Sequence, residues 1–303
     1  MNNAIINKLK VNLYAFITIL LWGSSFPFTR IIGDDISSYS LGFIRCALSA
    51  VILIIIGKAC HIRKPFHRKD LLWFFLSGIL GFSVYFIFFN LGMSTLTSAT
   101  GSIITAVSPI LTAIAASKIY REKVSLTGWV MIICAFAGVL VLILWNGILS
   151  INKGVFWMFG VAVVFAAYNL LTRKFSDMGY TAIEIVTYSA IFGGIQMLPF
   201  LPQAIVDVAT ADITGNLAAI YLGIMPSAIA YYFWSKALVL TERTSEVTNY
   251  LFVNPLIAAI IGFIMLRETP DMGTYIGGLI IIFSVVVFNF KGSPQDLQTE
   301  QLQ

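Results

Sequence analysis

Ten long apolar stretches constrain the fold of this chain more than any other sequence feature. A helix that crosses the hydrocarbon core of a bilayer needs roughly 20 mostly apolar residues. Stretches of that length lie at residues 11–33, 38–60, 69–91, 98–119, 124–145, 154–173, 181–203, 215–236, 246–267 and 271–291. Because no water satisfies the backbone inside lipid, such stretches predict helices. We therefore expect an all-α integral membrane protein with ten transmembrane helices, which we number as spans one to ten.

The composition agrees with a protein that lives in the lipid bilayer. Of the 303 residues, 58% are hydrophobic and 11% are charged, whereas soluble domains have about a quarter of their residues charged. In a membrane protein the net charge of +5 reports orientation rather than an acidic partner, so we expect no nucleic-acid partner. The three cysteines are scattered through apolar stretches, which predicts no metal site and no cofactor.

The positions of Lys and Arg predict the orientation. Arg30, Lys153 and Arg267 fall near one side and Arg45 lies inside span two, so 15 of the 19 basic residues (19 − 4) fall on or near the side of the N-terminus. Cytoplasmic loops carry the excess of basic residues. We therefore predict that both termini are cytoplasmic, and that the polar residues 292–303 form a disordered cytoplasmic tail.

An internal repeat divides the chain. Residues 98–123 match residues 244–269 at one spacing (255 − 109 = 146), and the pairing extends back to residue 91. The identical pairs are Thr95/Thr241, Val107/Val253, Pro109/Pro255, Ala113/Ala259, Ile114/Ile260, Arg121/Arg267 and Glu122/Glu268. Span one matches span six at a similar spacing through Arg30 and Arg173. This predicts two repeats, residues 1–148 and 149–291, with five helices each. Because five is odd, the repeats are inverted, an arrangement typical of secondary transporters with a site near the midplane.

Several short motifs carry a resemblance to a known family. They are WGSSFPFTR at 22–30, FIR at 43–45, NLGM with STLTSA at 90–99, and Pro109 with Arg121-Glu122, repeated as Pro255 with Arg267-Glu268. With these motifs in this order, the chain resembles the EamA-like branch of the drug/metabolite transporter superfamily over about residues 11–291. The resemblance implies a carrier of the bacterial cytoplasmic membrane, usually an exporter, for small metabolites, amino acids or drugs. One departure is Lys236 at the position that matches Asn90.

Arg45 is the most informative single residue, because it lies about 10 Å inside span two. A charge at that depth is costly and usually faces a partner or a wet cavity. One interpretation makes Arg45 the anchor for an anionic group of the substrate, or one half of a gate. The other makes it a structural partner of Asp34 or Asp35, or a side chain that reaches the outer interface.

Pro109 and Pro255 lie near the middle of spans four and nine. A proline inside a helix removes one backbone hydrogen bond, so the freed carbonyl groups of Thr105 and Leu251 can face a substrate ammonium group. Ser108 and Asn254 stand directly before these prolines and add polar atoms at the same depth. The alternative is a packing kink satisfied by neighbouring hydroxyl groups.

A set of polar-tipped aromatic and amide side chains completes the predicted substrate site. Such side chains combine apolar area with one hydrogen-bonding group, which suits a carrier that must release its substrate. The predicted substrate-binding residues are Trp22, Ser25, Arg45, Tyr85, Thr105, Ser108, Asn169, Tyr231, Asn249 and Asn254. The alternative for any one aromatic residue is packing towards lipid. The predicted gating residues are Pro109, Pro255, Glu122 and Glu268, the last two at opposite mouths.

The pattern as a whole predicts a secondary transporter, favoured by the resemblance as an exporter, of amino acids or related zwitterions and possibly of drugs. No Asp or Glu lies at the centre of a span, so a proton relay would have to run through Glu184 near a cytoplasmic end. The alternatives are a membrane-embedded lipid-modifying enzyme and a channel. The short loops hold no catalytic cluster and no selectivity-filter motif is visible, which disfavours both.

Overall fold

A computed structural model describes residues 3–60, 67–120, 125–145, 152–240, 247 and 249–288. All regular secondary structure in these residues is helical, without a strand. The α-helices are α1 Asn3–Ile32, α2 Ser38–Ala59, α3 Leu71–Gly78, α4 Val84–Met93, α5 Ser98–Thr105, α6 Ser108–Tyr120, α7 Leu126–Leu144, α8 Lys153–Asp177, α9 Ala182–Met197, α10 Leu201–Thr210, α11 Ile213–Ile224, α12 Ala230–Leu240, α13 Asn254–Leu266 and α14 Met272–Val287. Single 3₁₀ turns cover Arg68–Asp70, Leu198–Phe200 and Asn249–Val253.

Within these described residues, seven helical stretches are long and apolar enough to cross a membrane. They are Leu9–Ile32, Ser38–Ala59, Arg68–Met93, Ser98–Ala115, Lys153–Asp177, Ala182–Thr210 and Ile213–Leu240. The other three predicted spans fall on shorter apolar helices, Leu126–Val141, Asn254–Leu266 and Met272–Val287. The all-helical class of a multi-pass membrane protein is therefore confirmed.

The seventh predicted span is longer than its sequence suggests. The prediction ended it at residue 203, whereas the structure continues it to Thr210. Pro199 and Pro202 lie in the first turns of the 3₁₀ turn and of α10. A first-turn proline has no intrahelical N–H bond to lose, so neither proline ends the helical stretch. The boundary falls at residues 211–212, where Asp212 caps the start of α11.

Irregular turns recur along the chain at the spacing of the sequence repeat. A π-helical turn at Ile79–Ser83 joins α3 to α4, and a second one at Met225–Ile229 joins α11 to α12 (225 − 79 = 146). The starts of α6 and α13 are separated by the same distance along the chain (254 − 108 = 146). So are the starts of α7 and α14 (272 − 126 = 146). Local structure thus repeats where sequence identity is sparse.

Helix α1 lies against helices of the second half of the chain and so joins the two halves. It packs on α11, α12 and α13, while α2 packs on α9 and α11. Helices α4 and α6 both pack against α8, and α7 lies along α14. The buried core at the centre of this arrangement is rich in aromatic rings, among them Trp22, Phe86, Tyr231 and Trp234. Polar groups there must find partners inside the protein.

Candidate functional site

A small cavity lies where α1, α4, α5, α6, α8 and α13 meet, and we call it the central cavity. Its volume is about 30 Å³, room for one or two water molecules. It is lined by Trp22, Ser25, Phe26, Tyr85, Thr105, Ala106, Ser108, Val161, Ala162, Phe165, Leu251 and Asn254. Six of the ten predicted substrate-binding residues are in this lining: Trp22, Ser25, Tyr85, Thr105, Ser108 and Asn254.

Breaks in the helices place several of these polar residues at the cavity. Helix α5 ends at Thr105, and α6 begins at Ser108 after two turn residues. Pro109 and Pro255 are the second residues of α6 and α13, so they stand in first turns rather than inside a continuous helix. In that position proline costs no intrahelical hydrogen bond. The structure therefore has an interrupted helix at Pro109 where the sequence suggested a kink.

Asn254 carries the cavity's open hydrogen-bonding position. Its side chain is 6% exposed and its Oδ1 has no partner in the described part of the chain. The neighbouring hydroxyl groups are engaged: Ser25 donates to the carbonyl oxygen of Trp22 at 2.6 Å, and Ser108 donates to that of Ala162 at 3.2 Å. An unpaired buried amide oxygen is costly and accepts a donor readily. Asn254 therefore offers an acceptor to a ligand.

Arg45 is 2% exposed and is held by neutral groups. Its Nε donates to Ser227 Oγ at 3.1 Å, and its Nη1 donates to Asn90 Oδ1 at 3.2 Å. The guanidinium group lies over the ring of Phe86, 4.1 Å from the centroid, and 5.1 Å from that of Phe89. Such cation–π contacts stabilise a desolvated cation but do not neutralise it.

No described carboxylate pairs with Arg45. The ion pair within the described residues joins Arg30 and Glu268, so the alternative pairing with Asp34 or Asp35 does not form. Arg45 does not line the central cavity itself, but the ring of Phe86 beneath its guanidinium group lies 5.4 Å from the ring of Tyr85, which does. Arg45 is thus a buried cation near the cavity wall that no carboxylate of the described residues neutralises.

Tyr231 and Asn169 form a second layer behind the cavity wall. Tyr231 donates to the carbonyl oxygen of Gly81 at 2.8 Å, and its ring lies 5.4 Å from that of Trp22. Asn169 Oδ1 accepts from Trp234 Nε1 at 3.2 Å, and Trp234 packs on Trp22 at 4.9 Å. Both predicted residues therefore position Trp22 instead of reaching the cavity.

Two further predicted residues are not placed at the site. The backbone of Asn249 begins a 3₁₀ turn, but its side chain is outside what the structure describes, and Glu122 lies in residues 121–124, which the structure does not describe. Glu268 is described: its carboxylate pairs with Arg30, and its Oε2 accepts from the backbone N–H of Ser98 at 2.8 Å. Glu184 is buried and caps α9, where its Oε2 accepts from the N–H of Thr181 at 2.8 Å.

Sequence reasoning missed the apolar part of the lining and a second cavity. Phe26 lies inside the WGSSFPFTR motif, and Val161, Ala162 and Phe165 share one helical face with Asn169, a spacing that could have indicated them. The second cavity, of about 160 Å³, adjoins the end of α1. It is lined by Thr29, Arg30, Ile32, Gly33, Asp34, Ile36, Ser38, Leu41, Asn90, Met93 and Ser94, and we call it the vestibule.

Comparisons with known proteins agree with this architecture. The model of the EamA-like transporter family matches residues 9–144 and 152–290. A "Probable terminal-alkyne amino-acid exporter" of Streptantibioticus cattleyicolor is 27% identical over 286 residues, covering 93% of this chain and 94% of that protein. An "S-adenosylmethionine uptake transporter" of Rickettsia prowazekii is 24% identical over 261 residues, 84% of this chain and 83% of that protein. An uncharacterized transporter of Bacillus subtilis is 28% identical over 271 residues, 88% and 86% of the two chains.

A solved crystal structure shares the fold. It superposes with a TM-score of 0.62 at 18% sequence identity, over 93% of this chain and 97% of the other. The family model covers nearly all of the helical part of the chain, and the relatives are named as transporters. The chain therefore belongs to the EamA-like transporter family and is a multi-pass small-molecule transporter rather than an enzyme.

Proposed function

We propose that this protein is a secondary transporter of amino acids or related zwitterions, which it moves by alternating access around the central cavity. We place it in the bacterial cytoplasmic membrane with both termini in the cytoplasm and favour export. Its architecture is ten transmembrane helices in two inverted repeats, residues 1–148 and 149–291. The recurring π-helical turns and the two matches of the family model, to residues 9–144 and 152–290, support this division.

The observation that carries the proposal is the chemistry of the central cavity. On one side Asn254 presents an unpaired acceptor, which suits an ammonium group. Arg45, which contacts Tyr85 through Phe86, is a buried cation that no described carboxylate pairs with, and it suits a carboxylate. The aromatic rings of Trp22 and Phe165 supply the apolar wall. An acceptor, a cation and an apolar wall match the three parts of a zwitterionic amino acid.

The size of the cavity implies a conformational change. A volume of about 30 Å³ holds no amino acid. The substrate therefore binds when the helix ends around the cavity have moved apart. The first turns of α6 and α13 are suited to such movement, because each begins at a break in the helical run.

The relatives support the substrate class. Two of them are named for an amino acid and for S-adenosylmethionine, which carries the same α-amino and α-carboxylate groups. One name specifies export and the other uptake. The preference for export in this chain therefore rests on the family resemblance, and the zwitterion class rests on both the names and the cavity.

Purified protein in proteoliposomes tests this function. Thermal stability is first measured with a panel of L-amino acids, because a bound ligand stabilises the folded state. Uptake of each stabilising amino acid is then expected to be saturable and without covalent change. Arg45→Ala is expected to abolish transport while the protein remains in the membrane, and Arg45→Lys, which keeps the charge but not the fork geometry, to retain part of it.

Other results of these experiments would contradict the proposal or favour an enzyme or a channel. Normal transport by Arg45→Ala would exclude its role as the substrate anchor. A covalently altered product would indicate an enzyme, and a flux that does not saturate would indicate a channel. A panel without any stabilising amino acid, together with no uptake, would contradict the zwitterion proposal.

We further propose that Glu122 and Glu268 act at opposite mouths. Glu268 bridges α1 and α5, which supports a role in holding one mouth closed. Glu122→Gln and Glu268→Gln are expected to shift the accessibility of a cysteine placed at Thr105 in opposite directions. A shift in the same direction in both variants, or in neither, would contradict the two-mouth proposal.

A further inference from the structure

The vestibule is a second cavity with its own chemistry. At about 160 Å³ it is larger than the central cavity, and its lining is mostly polar. Helix α1 supplies one wall and ends there: Gly33 takes a φ of +56°, and its N–H bonds the carbonyl oxygen of Arg30 at 3.1 Å. Only glycine adopts that backbone conformation without strain. The turn places Asp34 in the cavity lining directly after the helix.

Asp34 differs from Arg30 and Asn90, two other polar residues of the lining. Arg30 is held by Glu268 and by the carbonyl oxygens of Met93 and Leu96. Asn90 is also engaged, because its Oδ1 accepts from Arg45 and its Nδ2 donates to the carbonyl oxygen of Ser38 at 2.9 Å.

No hydrogen bond or ion pair holds the Asp34 carboxylate in the described part of the chain, and its side chain is exposed. The vestibule therefore contains one anionic acceptor available to a ligand.

The vestibule lies next to the central cavity along one helix. Phe26 lines the central cavity, and Thr29, three residues on, lines the vestibule. The ring of Phe26 packs 5.0 Å from that of Phe89, and both residues are buried, at 2% and 1% exposed. The guanidinium group of Arg45 lies over Phe89 and bonds Asn90, which lines the vestibule. The buried Phe26–Phe89 pair thus belongs to the wall of the central cavity, and Arg45 connects Phe89 to the lining of the vestibule through Asn90.

We propose that the vestibule is a second binding site, in which Asp34 takes the ammonium group of a cationic or zwitterionic solute. For zwitterions this rests on the proposed function, because the solute would be the same molecule that occupies the central cavity. A charge-assisted bond from an ammonium group to the Asp34 carboxylate is stronger than a neutral hydrogen bond, and the polar lining of the vestibule surrounds the bound solute. Asp35, the next residue, is also exposed but does not line the cavity, which makes it the matched control.

Cysteine protection tests the site. Ser94, which is exposed and lines the vestibule, is replaced by cysteine in a background with Cys60→Ser and Cys134→Ser. Labelling by N-ethylmaleimide is then timed with L-leucine, with isoamylamine, which lacks the carboxylate, and with 4-methylpentanoate, which lacks the amine. We expect L-leucine and isoamylamine to slow labelling and 4-methylpentanoate to leave it unchanged.

The charge variants make the result specific. Asp34→Asn is expected to raise the half-protecting concentration of isoamylamine about tenfold, whereas Asp34→Glu and Asp35→Asn keep it near the parent value. Size-exclusion profiles establish that each variant is folded. Equal protection by isoamylamine and 4-methylpentanoate, no protection by isoamylamine, or protection that survives Asp34→Asn would each overturn the proposal.

A second reporter separates this proposal from the proposed function. Thr105→Cys, in the same background, reports on the central cavity. Protection by L-leucine at Thr105 but not at Ser94 would overturn the vestibule site and leave the central site standing. Protection by isoamylamine at Ser94 without any protection by L-leucine at Thr105 would support the vestibule and count against the central zwitterion site.

Discussion

Arg30 and Glu268 form an ion pair that ties the last turn of α1 to the residues after α13. Arg267 adopts a left-handed conformation with φ of 54°, and the next N–H, that of Glu268, bonds the carbonyl oxygen of Gly262 at 3.3 Å. The N–H of Arg267 itself bonds the carbonyl oxygen of Phe263 at 3.1 Å, which makes this an αL-type helix end with an Arg where glycine is usual. The turn directs the Glu268 carboxylate to Arg30 and to the N–H of Ser98 at the start of α5.

Glu268→Gln is expected to destabilise the protein by about 1–3 kcal/mol, because it leaves Arg30 partly buried without its counter-charge. Arg30→Gln should cost a similar amount. The double variant should cost less than the sum of the two, since neither charge is then left unpaired. Thermal unfolding in detergent measures all three variants. Strict additivity would mean that the pair contributes nothing beyond its separate contacts.

Asn254→Leu is expected to separate ligand binding from stability. The substitution removes an unpaired buried acceptor, so the free energy of unfolding should stay level or rise. Amino-acid binding, measured as the ligand-induced thermal shift, should weaken about tenfold. Ser108→Ala is the control, because its hydroxyl group already donates to Ala162. Reduced stability with unchanged binding in Asn254→Leu would show that Asn254 is structural.

Gly78→Ala is expected to lower the free energy of unfolding by about 1–3 kcal/mol. A Cβ at residue 78 would lie 2.7 Å from the backbone nitrogen of Gly193, where α3 and α9 are in contact. Backbone atoms cannot move aside as a flexible side chain can. The control is Gly194→Ala, because a Cβ there finds its nearest neighbour at 3.9 Å and should be tolerated. Equal unfolding temperatures for the two variants would contradict this close packing.

The raised pKa of Tyr180 predicts that the folded protein loses stability at alkaline pH. It lies between α8 and α9, and burial together with a hydrogen bond to Asp70 Oδ2 at 2.6 Å raises its pKa. Stabilisation by its neutral phenol is therefore complete below pH 10, the ordinary pKa of tyrosine, and is lost as pH rises through the raised value.

Tyr180→Phe keeps the ring packed on Phe74 and removes this contribution. The stability difference between the parent and Tyr180→Phe, from chemical unfolding, is expected to be constant from pH 7 to pH 9 and to shrink above about pH 10. A difference that does not change with pH would show that the pKa of Tyr180 is not raised in the folded protein.

Several parts of the site could be predicted because they depend on local chemistry. Apolar length predicts helices in lipid, and Pro109 and Pro255 mark the positions where helical runs are interrupted. Ser108 and Asn254 stand beside these interruptions, so their place at the cavity follows from chain neighbours. The partners of Arg45 could not be predicted in this way, because Ser227 is 182 residues away and neutral.

The lining of the vestibule could not be predicted from the sequence either. Asp34 and Asp35 are adjacent residues of the same type, but Asp34 lines the vestibule and Asp35 does not. The turn at Gly33 and the packing of α1 against α4 and α5 decide which carboxylate faces the cavity. No sequence periodicity predicts which of the two carboxylates lines the vestibule.

The sequence alone predicts the helical membrane class and six of the twelve residues that line the central cavity, because hydrophobicity, proline sterics and side-chain polarity are properties of each residue and its chain neighbours. The packing of helices distant in sequence determined the rest: Glu268 on Arg30, Arg45 among neutral groups, Tyr231 behind Trp22, and a vestibule beside the cavity. These contacts depend on how helix faces meet across the bundle, and that geometry is a property of the assembled fold.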